Sequence, residues 1–431
     1  MKQFRARYKI AFTLFTVIFL SLNLYAQTTA IKAGFLFDPE TGIFVKQKII
    51  YVENGRIKSI SDFRSDVKAD HIIDLSDRWV MPGLMDLHVH LEGESSPSSY
   101  LEEFTKNTAD RAYDAAVYAK RTLLAGFTTV RDLGGSGVNT SLSRAIALGK
   151  VEGPRIFSAG KAIGTTGGHA DPTNGYRYDL EGDPGPKEGV VNGREEARKA
   201  VRQRYKEGAH VIKITATGGV LSLAKSGMAP QFTMDELEGI IEAANDLGMI
   251  TAAHAHGAEG MKRAVLAGIT SIEHGSLMTE EIMDLMKERG TYYVPTLSAG
   301  IFTMEKAEIE GYYPSIVVPK AKEIGARMQG TFTKAYGKGV KIAFGTDCGV
   351  SPHGENAKEF QYMVEAGMKP ADAINAATLI AAQLLRVDDE LGQIKVGYLA
   401  DIVAVKKDPL EDIRILQDVS FVMKEGVIYK Q

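Results

Sequence analysis

The stretch Met81-Pro82-Gly83-Leu84-Met85-Asp86-Leu87-His88-Val89-His90 decides the fold. A Pro-Gly break opens it, an apolar run follows, and two histidines close it. Side chains alternate faces along a strand, so His88 and His90 point the same way. Two neutral imidazoles so placed can chelate one cation. Alone, His-x-His is a weak signal that chance often supplies. Here the same rhythm of a short apolar run, a polar or glycine close and a helix-like segment recurs along the chain. The runs are 83–90, 127–132, 154–159, 210–215, 249–254, 270–274, 291–296 and 341–347. Helical patterning fills gaps between them, as at 193–208, 233–248 and 257–268, and Thr233-Met234-Asp235-Glu236 reads as a capping box. Parallel strands need helical crossovers, and eight strand–helix alternations predict an α/β fold closed as a (β/α)8 barrel. A doubly wound open sheet is the second reading.

Strand ends converge on one mouth in such a barrel, and metal-capable groups sit at several of them. The run 210–215 carries Lys213 at its centre, where an unpaired ammonium is expensive. Either its amine snorkels to solvent, or burial keeps it neutral and reactive enough to condense with carbon dioxide to a carbamate. The later runs supply Ala253-His254-Ala255-His256-Gly257, Ile272-Glu273-His274-Gly275 and Gly345-Thr346-Asp347-Cys348. Each has a plain structural account: His256 as a donor at a helix start, His274 as a satisfied core imidazole, Asp347 as a cap. Their joint placement favours a metal centre.

These motifs resemble the metal site of the amidohydrolase superfamily. Gly164-Thr165-Thr166-Gly167-Gly168-His169, Lys213-Ile214-Thr215-Ala216-Thr217-Gly218-Gly219 and Gly345-Thr346-Asp347 resemble its imidazolonepropionase-like branch, which contains Xaa-Pro dipeptidases (prolidase-like) and related amino-acid amidases. The resemblance covers nearly the whole chain after residue 26. It implies two zinc ions per chain, with another divalent metal as the alternative. His88, His90 and Asp347 would hold one ion, His254 and His274 the other, and carboxylated Lys213 would bridge them. The choice of His254 over His256 rests on the resemblance alone. His169 and His256 then fall to contacts with the substrate. His210, His71 and His353 are read as structural. The implied reaction is hydrolysis of a C–N amide bond in a small substrate, a dipeptide or an N-acyl amino acid, with Asp347 moving the proton. The alternatives are a mononuclear deaminase or imidazolonepropionase-type hydrolase, and a non-catalytic periplasmic binding protein on the same fold. Arg177, Tyr178 and Lys225 are candidates for holding a substrate carboxylate.

Both chain ends carry short β-type runs, at 33–37, 48–53, 71–75, 401–406, 419–424 and 427–429, with a hairpin turn at Asn54-Gly55. They predict a small β-sandwich domain from 27–81 plus 390–431 around a barrel at 82–389. Residues 1–26 read as a secretory signal peptide: four basic residues, an apolar run at 10–24, and a cleavage site after Ala26. An uncleaved anchor is the alternative, because Leu24 replaces the usual small residue. Cleavage leaves 47 basic against 54 acidic residues, or −7, where the full chain has −3. A secreted or periplasmic protein is expected, with no membrane contact after cleavage and a homo-oligomer left open. A net negative charge without a basic block gives no support to nucleic-acid binding. The single cysteine, Cys348, excludes an internal disulfide framework.

Overall fold

The computed structural model describes residues 27–431, so the expected signal peptide lies outside the described residues. Fourteen strands are assigned within them. The first four are β1 (Thr28–Asp38), β2 (Ile43–Glu53), β3 (Arg56–Asp62) and β4 (His71–Pro82). Parallel strands follow: β5 (Leu84–Val89), β6 (Phe127–Asp132), β7 (Arg155–Ser158), β8 (Val211–Thr215), β9 (Ile250–Ala255), β10 (Ser271–His274) and β11 (Tyr292–Val294). The last three are β12 (Ile402–Val405), β13 (Phe421–Lys424) and β14 (Val427–Lys430).

The chain ends form one mixed seven-stranded sheet, ordered β14-β13-β12-β4-β1-β2-β3. This corrects the expected sandwich of two sheets. The reason lies in β4, whose twelve residues serve two neighbours on opposite sides. It runs parallel to β1 from His71 to Val80 and antiparallel to β12 from Trp79 to Pro82, so hydrogen bonds join both termini into one sheet. Alternate residues of these strands, among them Ile31, Ile50, Ile73, Val80, Ile402 and Phe421, bury one face. Asn54 and Gly55, with φ of 52° and 75°, make the turn into β3.

The parallel strands form a three-stranded sheet, β5-β6-β7, and a four-stranded one, β11-β10-β9-β8. Backbone hydrogen bonds link the two on both flanks. His210 N–H donates to Ser158 and Ile163 N–H to Lys213 on one side; Tyr293 N–H donates to Lys341 and Leu87 N–H to Phe344 on the other. The expected eighth strand at 341–347 is not a regular strand: it makes an isolated parallel bridge, Tyr293↔Ile342, and a second, Val89↔Cys348, follows just past its end. Its ladder is interrupted because Thr346 gives its N–H to the Asp86 carboxylate at 3.0 Å, and Asp347 turns left-handed at φ 60°. Helices Arg194–Glu207, Met234–Asp246 and Ala258–Ala267 fill three of the crossovers. The capping box at Thr233 and Glu236 is closed in both directions.

Candidate active site

Seven of the strand-end and loop residues named above line one cavity of about 830 Å³: His88, His90, Lys213, His254, His256, His274 and Asp347, with His169 joining from the loop after β7. Lys213 is buried, and its Nζ lies 3.3 Å from His88 Nε2. Its amine therefore faces the imidazoles rather than solvent. Asp347 Oδ1 lies 3.3 Å from His90 Nε2 and 3.5 Å from His88 Nε2. The ring of His274 is 4.9 Å from His88 and 4.6 Å from His254, and His254 is 4.6 Å from His256 and 4.4 Å from His169.

Five of these imidazoles are each held by one nitrogen, and His169 Nδ1 is buried without a partner. His90 Nδ1–H donates to Gly134 O at 2.8 Å, His254 Nε2–H to Gly218 O at 3.1 Å, and His88 Nδ1 meets Glu273 at 3.0 Å. The Nδ1 atoms of His256 and His274 pair with the hydroxyls of Ser276 and Thr296 at 2.8 and 2.7 Å. Such bonds fix the ring and leave the other nitrogen free as a ligand. Asp347 Oδ1 is buried without a hydrogen-bond partner, and ligand atoms of His88, His274 and Asp347 lie within 4.8 Å of one another. Convergent free nitrogens around an orphaned carboxylate oxygen fit a divalent cation.

The backbone is strained at the site. His274, Thr296 and Asp347 have φ of 68°, 51° and 60°, and a β-branched threonine adopts that region only under constraint. Thr296 holds His274, so the strained residue orients a candidate ligand. Gly219 packs so closely that a Cβ there would fall on the His169 ring.

Sequence reasoning missed the charges behind the site. Arg131, on β6, is fully buried; it pairs with Glu273 at 2.8 Å and donates to Leu87 O and Ser271 Oγ. Glu273 is equally buried and holds His88 with its other oxygen. Asp86 accepts from Thr346 and Asn356, and burial pushes its carboxyl up to about 6. A charged residue inside an apolar run was the available signal, the one that marked Lys213. Glu273→Gln leaves Arg131 buried without a counter-charge, at an expected loss of about 3–5 kcal/mol of stability. Denaturant unfolding of the purified variant checks this, and an unchanged midpoint contradicts it.

Burial governs the imidazoles. His88, His254 and His274 are held well below the usual histidine range, and His169 and His256 are pulled down to about 3. For His90, burial also acts downward, but the Asp347 carboxylate 3.3 Å away outweighs it and holds the group above its usual value. Lys213 is lowered by burial to about 8, against the upward pull of Glu273 and Asp347. The depressed histidines stay neutral in the fold while the unfolded chain binds protons near pH 6.5. Stability of the metal-free protein therefore falls as the pH drops from 6.5 toward 3. His256 alone accounts for about 1 kcal/mol of that loss at about pH 5.5, and His90 opposes it. Chelator-treated protein should unfold at lower denaturant at pH 5.5 than at pH 7.5; equal midpoints contradict this.

Other sequence candidates lie elsewhere. Arg177 and Tyr178 are largely exposed, Arg177 is paired with Asp179, and Lys225 is exposed; none lines the cavity. His210 accepts from Ser158 N–H at the start of β8, His71 is exposed in β4, and buried His353 bonds Gly93 O and stacks on Tyr118.

The model of the amidohydrolase family matches residues 79–429, and the chain belongs to that family. It is accordingly a hydrolase acting on carbon–nitrogen bonds, of a family that is typically metal-dependent. The chain is similar to a Xaa-Pro dipeptidase solved with methionine in its active site: 52% identity and a TM-score of 0.92, covering 94% of this chain and 100% of that one. A prolidase solved with N-methylphosphonate-L-proline has 31% identity and a TM-score of 0.86, covering 94% and 100%. Ochratoxinase from Aspergillus niger is 33% identical, over 94% of this chain and 87% of its own.

Proposed function

We propose that the chain is a binuclear, zinc-dependent hydrolase of dipeptides or N-acyl amino acids, working in the mouth of a (β/α)8 ring completed by segment 341–347. The observation that carries this reading is the meeting of Lys213, Asp347 and the imidazoles of His88, His90, His254 and His274 in one cavity. His88, His90 and Asp347 would hold one ion and His254 and His274 the other. Lys213 would bridge them as a carbamate, its neutral amine bonding the carbon of carbon dioxide and releasing one proton. When bound, such ions supply hydroxide at neutral pH and polarise a carbonyl. Asp347 takes the proton of the attacking water and delivers it to the departing nitrogen, without which an amine leaves poorly. His169 and His256, neutral through burial, would donate to the substrate carbonyl or tetrahedral oxygen.

The likeness to a Xaa-Pro dipeptidase and a prolidase supports a free amino acid as the leaving group. Ile324 and Met328 give the cavity an apolar wall suited to methionine or proline. A panel of dipeptides and N-acyl amino acids, assayed on zinc-loaded protein, tests the reading. Release of a free amino acid from at least one class is expected, and no hydrolysis across the panel overturns it. The N-terminal sequence alone supports export from the cytoplasm.

A further inference from the structure

A second cavity, of about 450 Å³, lies beside the first and shares His90, Gly93, Arg111, His169 and Leu221 with it. The two spaces therefore adjoin beside the imidazole cluster, with Glu103 also common to both. The outer one is walled by four aromatic side chains, Tyr100, Phe104, Tyr176 and Tyr313. Phe104 and Tyr176 stand 5.0 Å apart at 45°, and Tyr100 gives its hydroxyl to Leu221 O at 2.7 Å, so its ring serves as apolar surface. Phe104 is 58% exposed although it borders a cavity, an arrangement that core packing does not require.

The charges set a direction. Arg111, between the two spaces, is paired with Glu103 at 3.0 Å. Lys161 lines only the inner cavity, where the Glu188 carboxylate feels its charge without forming a salt bridge or hydrogen bond to it. A substrate carboxylate finds in Lys161 a cation not tied up in a salt bridge, inside the inner cavity. A molecule so anchored, with its amide at the cluster, extends its acyl half outward past His90 and His169.

We propose that the outer cavity is the acyl subsite and that it selects acyl groups carrying an aromatic ring. This rests on the hydrolase reading above and names its substrate class. Offset or edge-on contact with several aromatic rings adds to the area such a ring buries.

The test compares kcat/KM for N-phenylacetyl-methionine and N-acetyl-methionine, whose scissile amides are electronically alike. The zinc-loaded enzyme is expected to favour the phenylacetyl compound at least about tenfold. Phe104→Ala and Tyr176→Ala should each reduce that ratio several-fold. Equilibrium dialysis of both compounds against Asp347→Asn should show the same preference in binding. A ratio near one in the unaltered enzyme, or one that neither variant changes, overturns the subsite while hydrolysis of the acetyl compound leaves the hydrolase reading standing. If neither these compounds nor the dipeptide panel is cleaved, both readings fall.

Discussion

Lys213→Ala is expected to lower kcat by roughly a thousandfold and to leave fewer than two ions bound per chain. The amine is buried 3.3 Å from His88 Nε2, and burial lowers its pKa to about 8. Near that pH about half of the amine is neutral and able to take up carbon dioxide. Without the bridging anion two cations would face one another with poor compensation, and several kcal/mol of transition-state stabilisation would go with them. Formate or acetate, small enough for the space left by the side chain, should restore part of both metal binding and rate. A variant with near-normal zinc content and turnover contradicts the bridging role.

Asp347→Asn separates holding a metal from moving a proton. The amide keeps an oxygen where Asp347 Oδ1 now stands, 3.3 Å from His90 Nε2, so most of the metal should remain. It cannot accept the proton of the attacking water, and loss of positioned acid–base catalysis costs about a hundredfold to ten-thousandfold. Zinc content and kcat measured on one preparation check both halves. Retained turnover removes Asp347 from the proton path, and complete loss of zinc makes it chiefly a ligand.

Much of this arrangement was legible because it is periodic. The run 127–132 and the strand Phe127–Asp132 share their bounds, and the two-residue spacing of His88 and His90 and of His254 and His256 brings each pair to the cavity. The run 341–347 misled because periodicity does not register a side chain that takes a ladder N–H, as Asp86 does from Thr346. The termini were legible as β-structure, but whether they form one sheet or two depended on the length of β4, which the run 71–75 understates. The Arg131–Glu273–His88 chain links three strands and satisfies its charges internally, a relation that no local spacing encodes. Loop residues were the least readable: Arg177 and Lys225 have suitable chemistry, yet Lys161, from another loop, and Arg111, from the helix Thr108–Leu124, line the cavity.

The central claim is a pair of ions held between these side chains. Elemental analysis of protein reconstituted with zinc and freed of excess metal tests it most directly. Two zinc ions per chain, falling below two in Lys213→Ala, is the predicted result. One ion per chain in the unaltered protein, with full hydrolytic activity and no change on replacing Lys213, would contradict it.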